Sequence, residues 1–306
     1  MKDKSGWQSF LTSLRIMTSN TDSSSNHGSE SNSNSNIELE SKRVLLFIAF
    51  SFGFSWIFSG IIYATGGLEN QAGLAGGMGV SRVLVLLLIF MWGPAVGNVL
   101  TRLVTGEGRD NLHLGLDGAD AKYLITAWLL PVVLVVVGAG VYFVVFPDAF
   151  DPSLGYVKNI IQQTENRTGS DLPFSPRAFV AIQLVQAVLL APIVNSFFTF
   201  GEEFGWRAYL LPKLRPLGDS SALVLTGVVW GVWHYPIILM GYNYGVKWSV
   251  PSLLAMTWFT VVAGVILGWL TFKTESVWFA VVGHASINGV AGIGVLVTNP
   301  DMVKPF

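Results

Sequence analysis

The 306-residue sequence contains no cysteine. That excludes disulfides, thiol nucleophiles and thiolate-held metals. Charge is also scarce: Asp, Glu, Lys and Arg make up 12% of residues, against about 25% in an average soluble domain. Neither sign prevails, because 18 basic and 19 acidic residues leave a formal net charge of −1. No basic surface therefore points to nucleic acid. Histidine occurs four times, as His27, His113, His234 and His284.

What the chain has is apolar length. Hydrophobic residues form 51% of it, gathered into runs of about the 20 residues that cross a bilayer core. Seven spans are expected, at roughly 44–64, 82–103, 123–146, 178–200 (running on as a helix to about 213), 219–240, 251–271 and 276–297. Gly76, Gly77 and Gly79 break the chain between the first two. Residues 1–43 form a hydrophilic tail, rich in Ser and Asn over Ser19–Asn36 and expected to be partly disordered. Trp7, Phe10, Leu11 and Leu14 have the spacing of a short interfacial helix within 7–17. The expected fold is all-α, a polytopic helical bundle over residues 44–300. Lys42, Arg43, Arg102, Arg109, Lys122, Lys213, Arg215 and Lys273 fall on one side of the expected spans, against Arg82, Lys158, Arg167, Arg177, Lys247 and Lys304 on the other, a modest bias. The positive-inside rule makes that side cytoplasmic and the protein a multi-pass resident of the cell membrane with a cytoplasmic N-terminus.

Against this background Glu202 and Glu203 stand out, adjacent carboxylates within an apolar helix. An ionised group at mid-bilayer costs roughly 2.5–3.5 kcal/mol or more, and such groups mark functional sites. Neighbours on a helix are about 100° apart, so the two cannot share a face. Glu203 and Arg207 stand at i and i+4 in the favoured order and form the expected pair. Glu202 is left as the carboxylate without a cation, suited to act as a general base. Trp230 and His234 share one face of the fifth span, and His284 and Asn288 share one face of the seventh. His284 and Asn288 suit either an oxyanion or a hydrogen-bonded helix contact. At 1.5 Å per residue, Glu202 lies roughly 16 Å from Lys213, His234 roughly 22 Å from Asp219 and His284 roughly 12 Å from Ser276. The three reach similar depths.

The set Glu202-Glu203-x-x-x-Arg207, Trp230-x-x-x-His234 and His284-x-x-x-Asn288 resembles the CPBP family. This group holds the type II CAAX prenyl proteases and the bacteriocin-processing or self-immunity enzymes also called Abi proteins. The resemblance covers about residues 176–297, so the catalytic core would come from the last four helices. One departure is Trp230, where the family pattern has Phe; an aromatic wedge is retained and little consequence is expected. The resemblance implies an intramembrane endopeptidase acting near the C-terminus of a membrane-associated substrate, prenylated or not. It implies Glu202 as the group activating water, His234 as its assistant, His284 and Asn288 as oxyanion donors, and Glu203 and Arg207 as supports. No His-Glu-x-x-His occurs, so a metal-free reaction is expected; were zinc present, Glu202, His234 and His284 would be its ligands. A transporter or a non-catalytic scaffold built on the same Glu/His cluster is the alternative.

Overall fold

The structure, a computed structural model, describes residues 29–69, 81–116 and 120–302. The helix expected at 7–17, His27 and the break at Gly76, Gly77 and Gly79 lie outside the described residues. Packing separates Met1–Lys42 from a compact unit, Arg43–Phe306, which carries everything discussed below. The helices are α1 (Ser29–Ala64), α2 (Arg82–Phe90), α3 (Gly93–Thr105), α4 (Ala121–Val145), α5 (Gly155–Thr168), α6 (Pro176–Val185), α7 (Ala191–Gly205), α8 (Asp219–Trp233), α9 (Tyr235–Leu239), α10 (Val250–Thr274) and α11 (Val277–Val290). Among the described residues there is no β-strand. The first of these helices takes in the end of the Ser/Asn-rich segment.

Among the described residues five helical stretches are long and apolar enough to cross a membrane, or six if α2 and α3, bent by 41°, count as one crossing. Of the seven expected crossings, the stretch that does not form one long apolar helix is 219–240. It breaks at His234 into α8 and α9, and 15 residues of α8 reach only about 22 Å, short of a core of about 30 Å. Pro236, just inside α9, explains the break, since it has no N–H for a helical bond and its ring strikes the preceding turn. The bend between α2 and α3 has the same origin in Pro94. That proline frees the Phe90 carbonyl, which instead accepts from Ser55 Oγ of α1 at 2.8 Å.

Apolar side chains face outward along the crossings. Val133, Val136, Val137 and Val141 of α4 are all exposed, a stripe that suits lipid rather than water. The interior holds Phe47, Phe90, Trp206, Trp230 and Trp233, all nearly inaccessible. Helices α8 and α10 pack at backbone distance because of two glycines. A Cβ on Gly227 would sit 2.6 Å from Val261 Cα, and one on Gly231 would sit 2.7 Å from Thr257 Cα. This close crossing fixes the height of Trp230 and of the break at His234.

The links cluster by end. Glu107 meets Arg43 and Lys213, and His113 meets the Glu275 carbonyl. Lys247 pairs with Glu69 between links that the sequence assigns to the opposite side. Broken as it is, the 219–239 stretch still carries the chain from one end to the other.

Candidate active site

Helix α7 delivers two glutamates in different directions. Both are buried, along with Arg207. Glu203 Oε1 accepts from Arg207 Nη1 at 2.9 Å, the pair read from the i, i+4 spacing. The same oxygen accepts from His284 Nδ1 at 2.8 Å, which ties α11 to α7. Arg207 lies in a π-helical turn, Trp206–Leu210, that continues α7. Such wide turns are frequent at functional sites because they re-aim the side chains that follow.

Glu202 faces a different space. A cavity of about 310 Å³ is lined by Glu202, Trp230, His234, His284, Asn288 and Asn195, among others. Every residue expected to touch substrate is thus on one wall or another of one cavity. Glu203 and Arg207 are not on its walls; they stand behind it.

Trp230 joins the parts. Its indole Nε1–H donates to Glu202 Oε2 at 2.7 Å. The Arg207 guanidinium lies over its ring, 4.5 Å from the centroid, and His284 meets it edge-on at 5.1 Å. Its carbonyl oxygen is 2.9 Å from His234 Nδ1. One expectation needs correction here. Glu202 lacks a cation but holds a hydrogen bond from Trp230. Trp in place of Phe is therefore not without consequence for the site, because a phenyl ring has no N–H to give that carboxylate. The sequence hid this bond because it depends on how α7 crosses α8.

The ring nitrogens can be assigned by their partners. A carbonyl only accepts, so His234 carries its proton on Nδ1 and presents Nε2 as a lone pair. His284 directs Nδ1–H to the Glu203 carboxylate and has Nε2 left for the cavity. The cavity also contains polar residues that the sequence reading missed. Asn195 lies seven residues before Glu202, two turns along the same face, and its Nδ2 donates weakly to the Ala285 carbonyl at 3.4 Å. Helical periodicity alone would have found it. Tyr242 and Asn243 follow the break and also line the cavity. Reading 219–240 as one unbroken span placed them outside the membrane and away from the site.

Among the described residues no group of three or more His, Asp or Glu side chains is arranged to hold a metal ion. Glu202, His234 and His284 share a cavity without forming a ligand set.

Comparison with known proteins reaches the same stretch of chain. Residues 177–290 match the family model described as type II CAAX prenyl endopeptidase, Rce1-like. The chain is 29% identical over 124 residues to a protein named CAAX prenyl protease 2 from Methanococcus maripaludis, an overlap of 39% of this chain and 44% of that protein. The chain thus spans less than half the length of the curated relative it matches. No solved structure matches.

Proposed function

We propose that the chain, whose residues 177–290 match the model of the Rce1-like type II CAAX prenyl endopeptidases, is an intramembrane endopeptidase working without metal. It would cleave a peptide bond near the C-terminus of a membrane-associated substrate. Glu202 takes a proton from a cavity water as that water attacks the scissile carbonyl. His234 holds the water through its Nε2 lone pair. Asn288 donates to the developing oxyanion, and His284 does so from Nε2 when doubly protonated, its Nδ1–H kept on Glu203. The proton on Glu202 then passes to the leaving amine. Glu203 and Arg207 hold His284 and Trp230 in place.

One observation carries this reading: Glu202, His234, His284 and Asn288, drawn from α7, the α8–α9 break and α11, line one cavity. The exposed apolar walls around the bundle support a substrate that arrives within lipid, such as a prenylated C-terminus. The clustering of Arg43, Arg102 and Lys213 at one end supports a cytoplasmic N-terminus in the cell membrane.

The test is cleavage of prenylated and unprenylated CAAX peptides by the purified protein, read by mass spectrometry, with metal content measured on the same sample. Release of a C-terminal fragment, unchanged by chelation, is expected. No cleavage of any peptide by folded protein would refute the activity. Cleavage lost on chelation and restored by zinc would refute the metal-free reaction.

A further inference from the structure

We infer that Trp56, on α1 and far outside the family-matched residues, is a positioning residue for His234; this rests on the catalytic reading of the cavity. Its indole Nε1–H donates to the Trp233 carbonyl at 3.0 Å, across 177 residues of sequence. That carbonyl belongs to the peptide plane leading into His234. In an unbroken helix it would accept from the N–H of Ile237. Here the Ile237 N–H goes instead to the His234 carbonyl at 3.1 Å, and Trp56 takes its place.

The arrangement fixes His234 at three points. Its peptide oxygen side is held by Trp56, its own N–H bonds the Gly231 carbonyl at 3.1 Å, and its Nδ1 bonds the Trp230 carbonyl. Trp233 itself is clamped by Phe90, with ring centroids 4.2 Å apart, and by Trp206 at 5.7 Å. Trp56 is 41% exposed on the bundle surface, yet its N–H points inward to a backbone oxygen. The neighbouring residue does the same at the other proline break, where Ser55 serves Phe90. Two consecutive residues of α1 therefore satisfy carbonyls at both breaks.

Losing the Trp56 N–H would leave the Trp233 oxygen without a donor in a medium where that is costly. The nearest remedy is the regular helical bond from Ile237. Taking it rotates the peptide and withdraws His234 from its place. Trp56 thus selects the broken geometry over the continuous one.

Trp56→Phe in the full chain tests this, keeping an aromatic ring and deleting the donor. We expect kcat to fall about tenfold with KM held within about twofold, and an unchanged thermal midpoint. In histidine-ring NMR spectra, the His234 signals, identified by their loss in His234→Ala, should move while those of His284 stay. An unchanged kcat, unmoved His234 signals, or equal movement of both histidines would overturn the inference. Full activity of His234→Ala would instead refute the catalytic reading, while the spectra would still report whether Trp56 sets the position of His234.

Discussion

A tryptophan N–H aimed at a buried carboxylate restricts both partners. Trp230 fixes Oε2 as the engaged oxygen of Glu202, and Glu202 lines the cavity. Trp230→Phe keeps a ring beside Arg207 and removes only this donor. Hydrogen bonds to charged groups are worth about 1.5–3 kcal/mol, so kcat should drop about tenfold or more while KM stays level. Steady-state kinetics on a cleavable peptide would show it, and an unchanged kcat would mean that Glu202 needs no such partner. At this scale the sequence was legible where partners lie on one helix. Glu203 and Arg207 are four residues apart, and periodicity alone pairs them. The bonds from Trp230 to Glu202 and from His284 to Glu203 span different helices, and no local pattern encodes them.

The elements are defined as much by their interruptions as by their lengths. Pro236 was visible in the sequence, but the apolar run around it outweighed it in the reading of 219–240 as one unbroken span. The structure reverses that weighting, because a proline at this place cannot serve the helical bond that continuity requires. Pro236→Ala restores a donor and should favour one continuous helix through His234. Stability should hold or rise, and turnover should fall at least about tenfold as His234 moves off the cavity. Equal activity in that variant would show that the break is incidental. The ion pair makes the opposite demand. Arg207→Ala strands Glu203 without its cation in the interior, a loss of about 3–5 kcal/mol. Thermal unfolding of the purified variant should show a markedly lower midpoint, since the same Glu203 oxygen also holds α11 through His284. A midpoint equal to wild type would contradict the pairing.

For the whole molecule, hydropathy was enough to give an all-helical bundle and to sort its links into two ends. Which crossings run as unbroken helices was not legible, because it depends on where prolines bend or break long runs. One end is organised around Glu107, which accepts from Lys213 Nζ at 2.7 Å and from Tyr209 OH at 2.9 Å, with Arg43 at 3.5 Å and Arg102 at 3.9 Å. Burial pushes this carboxyl up, but the hydrogen bonds from Lys213 and Tyr209 and the charges of Lys213 and Arg102 outweigh it and hold it below the ordinary carboxylate range. A carboxyl depressed in the folded state contributes stability above its unfolded value, about 4.3 for Glu, and loses that contribution as pH falls through the folded value. Unfolding midpoints measured from pH 7 down to pH 3 should therefore decline less steeply in Glu107→Gln than in wild type. Parallel declines would remove Glu107 from the account.

The proposed chemistry turns on Glu202, and one variant isolates it. Glu202→Gln keeps the shape of the side chain and can still accept from Trp230, yet cannot take a proton from water. Turnover of a cleaved CAAX peptide should fall at least about a thousandfold, with the thermal midpoint near wild type. A glutamine variant that folds and still cleaves at the wild-type rate would contradict the claim that this carboxylate drives the reaction.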